Sequence, residues 1–230
     1  MRRNRGLPVV AVVVLSVVLA ACGIVSGSHI EDRLHTALEN AGEQAEADNL
    51  ARYNSNVQII ESPLEDWVLV QLDGYMVDGQ DMGLDFYGIG PEEELIRISN
   101  SSKLFRKVVD ADGMTLATAD EAEAFTRAYL VTTGPIGYWS EVLDSVDQIA
   151  LWSGAPPEDV AERDRIRAEY RDQIEPPAAT QTGDAFEAVA YRLQEDELHR
   201  HLITVSINGR FVDDVEVLES EIPAIPHGSH

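Results

Sequence analysis

His199-x-His201 places two imidazoles two residues apart, directly after three acids, Glu195, Asp196 and Glu197. On an extended strand this spacing puts both rings on one side of the backbone. Strand-borne imidazoles beside a carboxylate are the ligand types that zinc and iron select. A second grouping, Asp73, Asp78, Asp81 and Asp85, crowds two consecutive turns with glycines. Oxygen-rich loops of this kind suit calcium, although Asp before Gly is also ordinary turn chemistry. The candidate metal ligands are therefore His199, His201, Asp78 and Asp81. Asp110-Ala111-Asp112-Gly113 opens like a calcium loop and puts Glu121 twelfth, but Met114 and Thr115 stand where the loop needs a ligand and a glycine. An EF-hand is excluded.

Catalytic chemistry finds little to use. The chain has no G-x-S-x-G elbow, S-x-x-K, H-E-x-x-H or P-loop, the arrangements that activate a nucleophile, a metal-bound water or a phosphate. With 41 acidic residues, no carboxylate pair for glycoside cleavage can be singled out, because the deciding separation is a tertiary distance. No catalytic residue and no cofactor are expected. Tyr75, Phe86 and Tyr87 are candidates to line an apolar ligand pocket, whereas Trp139 is assigned to the core.

The amino terminus is more specific. Arg2, Arg3 and Arg5 precede an apolar run from Val9 that, interrupted only by Ser16, ends in Leu19-Ala20-Ala21-Cys22. A cationic start, an apolar middle and small residues at the end are the layout of a secretory signal. The last four residues resemble the lipobox of bacterial lipoproteins, and Cys22 is the chain's single cysteine. The resemblance covers 22 residues and implies diacylglyceryl transfer to the Cys22 sulfur, cleavage before it and acylation of the new amino group. Two or three acyl chains then hold the product at a membrane, since each buried methylene adds about 0.8 kcal/mol.

The balance of 17 Lys+Arg against 41 Asp+Glu gives a net charge of −24. Cleavage removes three positive charges and no negative one. Such a surface repels nucleic acid and anionic headgroups, so lipid insertion must supply the membrane contact, and cations or basic partners are favoured.

The elements that must carry these residues follow from periodicity. Ser28-x-x-Glu31 has capping-box form, and Ile30, Leu34, Ala37, Leu38 and Ala41 recur at helical spacing; whether this helix is a stalk or a packed element is open. From Asn56 to Thr118 short apolar runs separated by turn residues predict strands: 57–60, 67–72, 75–77, 84–89, 95–98, 104–109 and 114–117. Ser62-Pro63 suggests one helical turn between the first two. The segment Val108 to Ala117, around Asp112-Gly113, looks like the strand, turn and strand of PAS-like and Cache sensor domains. Helices are expected from Thr118, over Trp139–Ala150 and over Glu158–Ile174. Pro176–Asp184 reads as a surface connection. Strands return at 186–193, 199–207 and 210–218, the last two joined by Asn208-Gly209, a strong hairpin signal.

Strands, then helices, then strands predict an α+β domain with a mainly antiparallel sheet and helices packed on one face. The expected organisation is a signal peptide over 1–21, a lipidated tether over 22–27, one domain over 28–220 and a tail over 221–230. The expected function is a membrane-anchored extracytoplasmic lipoprotein whose domain binds a ligand or an envelope protein partner without catalysis. An envelope hydrolase and a cation-dependent sensor or binding protein are the alternatives. The expected place is the extracytoplasmic face of the cell membrane, or the outer membrane in a cell with two; Gly23 after the lipidated Cys, rather than Asp, fits the latter.

Overall fold

The computed structural model describes residues 27–52, 55–73, 76–77, 80–81, 84–134, 140–151 and 154–223. Cys22 and the signal segment, Tyr75, Asp78, Trp139, Trp152, His227 and His230 lie outside them. No helix among the described residues is long and apolar enough to cross a membrane.

The expected α+β class is what the chain forms, with every strand pair antiparallel and the strands divided between two main sheets. The first sheet has the order β1-β2-β5-β6, made of β1 (Asn56–Ile60), β2 (Val68–Asp73), β5 (Leu84–Ile89) and β6 (Leu95–Arg97). Between its second and third strands lies a small hairpin of β3 (Met76–Val77) and β4 (Gln80–Asp81). Two helices, α1 (Gly27–Ala41) and α2 (Gln44–Arg52), cover one face of this sheet. Ile30, Leu34, Ala37 and Leu38 are buried there with Val57, Val70, Leu72, Tyr87 and Ile89. Helix α1 is therefore a packed element and not a free stalk.

The second sheet has the order β11-β10-β9-β7, with β8 also on β9. Its strands are β7 (Ser140–Leu143), β8 (Ala178–Thr182), β9 (Ala185–Gln194), β10 (Glu197–Ser206) and β11 (Phe211–Glu219). Helices α3 (Ser102–Asp112) and α4 (Ala119–Thr132) share the largest core with the facing sides of both sheets. Phe105, Phe125, Tyr129 and Phe211 meet there at mutual ring-centre distances of 4.7–6.0 Å. Helix α5 (Pro157–Tyr170) closes the opposite face of the second sheet through Ile166 and Tyr170. Packing reaches Ile222, which is buried in that third core and donates its N–H to the Asp196 carbonyl.

Five segments depart from their periodicity, among them 114–117, which forms no strand. Residues 104–109 form α3 and not a strand: Phe105, Val108 and Val109 are spaced for one helix face, and the Ser101 hydroxyl accepts the Leu104 N–H at the N-cap. The same helix removes the PAS-like reading, because Asp112-Gly113 is its C-terminal cap, with Gly113 left-handed at φ 71°. Only a residue tolerant of that conformation ends a helix so. The Asp112 carboxylate instead accepts the N–H groups of Glu65, Asp66 and Trp67 at 2.8–3.1 Å, which fixes 61–67 as an irregular loop where a helical turn was expected.

The helix expected over Trp139–Ala150 does not form in its described residues, 140–150. These form β7 followed by a 3-10 turn, Val146–Gln148. Val142 and Leu143 enter different cores on opposite faces of the second sheet, so burial of adjacent residues mimicked a helical stripe. Pairing of β7 with β9 along Ser140↔Gln194 to Leu143↔Tyr191 overrides the local pattern. Pro176–Asp184, expected as a plain connection, supplies β8. The 118 helix, in contrast, starts on its Thr118–Glu121 capping box as predicted.

Candidate functional site

The Asn208-Gly209 hairpin fixes the register of β10 against β11, and with it a polar cluster inside the second sheet. Val205 pairs with Phe211, Ile203 with Asp213, His201 with Val215 and His199 with Val217. On the other side of β10, His199 pairs with Arg192 and His201 with Ala190. Alternation therefore brings His199, His201, Arg192 and Asp213 to one face, the face that α4 covers with Tyr129. A bulge between Leu198 and His199 then shifts the register of the strand pair.

Both imidazoles are buried, His199 at 7% and His201 at 1% exposure. His201 Nδ1 lies 3.0 Å from each Asp213 oxygen, and the Tyr129 hydroxyl donates to the same carboxylate at 3.1 Å. His199 Nε2 lies 2.8 Å from the Glu197 carboxylate, and the two ring centres are 6.1 Å apart. One Arg192 Nη reaches the Leu130 carbonyl at 3.5 Å. Three atoms of the cluster are buried without a hydrogen-bond partner: His201 Nε2, His199 Nδ1 and Arg192 Nε.

Burial sets the charge states. It pulls the His201 imidazole below its ordinary value; hydrogen bonding and attraction to Asp213 oppose this, and the charges of Arg192 and His199 add to the lowering. His201 is therefore neutral at neutral pH, with its proton on Nδ1 toward Asp213 and a lone pair on Nε2. Burial, helped by Asp213, pushes the Tyr129 phenol well above its ordinary range, so it stays protonated and donates to that carboxylate. Burial also lowers Arg192, against the pull of Asp213 and Tyr129, yet an arginine keeps its charge in proteins.

A carboxylate-held imidazole with a free lone pair is the arrangement of a general base or of a metal-ligand nitrogen. His201 itself is closed to solvent at 1% exposure, and a cleft opens at another place in the fold. That cleft, about 80 Å³, is lined by Ala41, Glu43, Glu46, Tyr87, Leu95 and Arg97 at the rim of the first sheet.

The remaining sequence candidates scatter. Phe86 and Tyr87 are neighbours on β5 and so enter different cores on opposite faces of the first sheet; they cannot line one pocket together. Asp81 sits on β4, a hairpin separate from the histidines. Asp85 is fully buried and bound by the Arg97 guanidinium at 2.7 and 3.0 Å and by the Ser99 hydroxyl at 2.8 Å. Among the described residues, no three of the His, Cys, Asp and Glu side chains are grouped to hold a metal ion. Sequence reading found the histidines but missed Asp213, Arg192 and Tyr129. The hairpin register held the signal for Asp213, because counting outward from Asn208-Gly209 puts it on the face of His201.

Compared with protein-family models, curated proteins and solved structures, the chain matches none. The site has to be read from its own geometry.

One further surface follows from the same strand. β11 is the terminal strand of its sheet, and among the described residues nothing pairs with its outer side. Helices α3 and α4 cover Phe211, but Val215 and Val217 on the same face are 52% and 53% exposed, and Val212 on the other face is 61% exposed. Asp214 and Glu216 are exposed between them.

Proposed function

We propose that this protein is a lipid-anchored, extracytoplasmic accessory subunit whose domain binds an extended segment of an envelope protein partner along β11, without catalysis. The observation that carries this reading is the open edge of β11. Sheet edges are normally short, covered, or blunted by lysine and proline, because their free N–H and C=O groups template another strand. This edge is nine residues long, has no lysine or proline, and exposes three valines. Added-strand recognition uses such edges, with main-chain hydrogen bonds for affinity and alternate side chains for specificity.

Charge selects the occupant. Asp214 and Glu216 alternate with the valines in a chain of net charge −24. A second copy is repelled, whereas a basic extended segment is attracted. The signal segment and Cys22 supply the tether in this reading, and the packed α1 sets the domain close to the bilayer.

The test is a photo-crosslinking side chain placed in turn at Val212, at Val215 and, as a control, at exposed Glu158 on α5, in native membranes. The reading expects one discrete adduct from the two edge positions, lost when Val217→Asp is added and lost with Cys22→Ser. Adducts of equal yield from Glu158, or none from the edge positions, overturn it.

A further inference from the structure

The buried histidines leave a question that partner binding does not answer: why two imidazoles are held inside a sheet with one nitrogen each unsatisfied. A buried polar atom without a partner is destabilising, and this cluster has three such atoms, one on each ring and one on Arg192. The orientation of the rings is controlled from outside. Glu197, two residues back along β10, binds His199 Nε2, and Asp213, whose strand partner Ile203 lies beyond His201 from His199, binds His201 Nδ1. The two nitrogens of an imidazole point in nearly opposite directions across the ring. Each free nitrogen, His199 Nδ1 and His201 Nε2, therefore lies on the side of its ring opposite its carboxylate.

A carboxylate on the far nitrogen is the usual support of a metal-bound histidine: it fixes the tautomer and raises the basicity of the ligating atom. Here both rings have one. Two ring nitrogens that meet one ion at about 2 Å place their ring centres about 6 Å apart when the ion lies between them. The observed separation is 6.1 Å.

The choice of ion follows from ligand number and charge. No third His, Cys, Asp or Glu joins the group among the described residues, and His201 is closed to water at 1% exposure. Zinc asks for about four donors, supplied by side chains or by water. Asp213 and half-exposed Glu197 contribute two negative charges, Arg192 one positive charge, and the protonated Tyr129 phenol none. The cluster thus has room for one positive charge and faces a guanidinium that repels a second.

We propose that His199 and His201 form a two-coordinate site for a soft monovalent d10 ion, copper(I), with silver(I) as its stand-in. Asp213 and Glu197 act as positioning residues.

The experiment uses the full chain with Cys22→Ser, His227→Ala and His230→Ala, which removes the thiol and the tail imidazoles. Copper(I) is titrated anaerobically against a competing chromogenic chelator, and X-ray absorption is measured on the complex. The expected result is one equivalent bound through two nitrogen neighbours at about 2 Å, affinity at least tenfold weaker in Asp213→Asn, and no bound equivalent in His199→Gln or His201→Gln. A readout on the unsubstituted histidines guards against variants that fail to fold. In 15N spectra, silver(I) must shift His199 Nδ1 and His201 Nε2 and leave the other ring nitrogens in place. Retention of the equivalent in folded His199→Gln, unmoved ring nitrogens, or one equivalent of zinc with no copper(I) overturns the proposal.

Discussion

Tyr129 on α4 donates its hydroxyl to Asp213 on β11 at 3.1 Å, and this contact joins the central helix layer to the edge strand of the second sheet. His201 donates to the same carboxylate from β10. One side chain thus holds three elements, and α5 holds the far end of the same strand through Tyr170 and Arg165 at Leu218 and Glu219.

Removing either end of this contact has unequal cost. Tyr129→Phe deletes one of two donors and leaves Asp213 bound by His201, so a loss of about 1 kcal/mol is expected. Asp213→Ala strands the Tyr129 hydroxyl and the His201 Nδ1–H in a buried place, at about 3 kcal/mol or more. Urea unfolding of both single variants and the double variant checks this. The coupling between them is expected at about 0.5–3 kcal/mol, and strict additivity contradicts the contact.

The metal-free protein is expected to lose stability as pH falls below about 6.5. Burial lowers the His201 pKa from its ordinary 6.5, so the unfolded chain binds a proton that the folded chain resists. The resulting stability is fully present above the unfolded pKa and declines as pH drops through it toward the lower folded value. Denaturation midpoints at pH 7.5 and 5.5 measure the slope. His201→Asn must flatten it relative to the parent; an equal slope shows that His201 does not titrate as described.

Two turn glycines separate strain from crowding. Gly183 has φ 64° and open space around a would-be Cβ, while Gly209 has φ 75° and would place that carbon 2.6 Å from Val109 on α3. Gly183→Ala should cost roughly 1–2 kcal/mol for the left-handed backbone alone. Gly209→Ala adds overpacking of roughly 1–3 kcal/mol and should be clearly the worse of the two in thermal unfolding. Equal losses would mean that the hairpin does not press on α3.

The tether makes its own prediction. Cys22→Ser is expected to abolish lipid attachment and shift the protein from the membrane fraction to the soluble or uncleaved pool. Intact mass of the parent should match a chain beginning at Cys22 with acyl groups; an unmodified parent at the membrane contradicts the anchor.

What the sequence disclosed and what it hid divide along physical lines. The β9, β10 and β11 strands were readable because alternation and Asn208-Gly209 agree, and α4 because Thr118 and Glu121 cap it reciprocally. The α3 and β7 assignments reversed for one reason. Leu104–Val109 buries Phe105, Val108 and Val109 on one helix face, whereas Val142 and Leu143 enter cores on opposite faces of a strand, and in both segments only the partner surface decides the element. The histidines were legible as a pair through their spacing. Their partners were not, because Arg192 looks like an ordinary exposed cation and Tyr129 like core until the register of β9 and the seat of α4 are known. Phe86 and Tyr87 illustrate the converse, since adjacency in the chain is opposition across a sheet.

The claim that an envelope partner occupies the edge of β11 is met most directly by hydrogen–deuterium exchange of the 211–219 segment, compared between native membranes and the purified, detergent-extracted protein. The account predicts slower exchange of these amides in the membranes, with no change in the buried 198–205 segment of β10. Identical exchange of 211–219 in both preparations would contradict it.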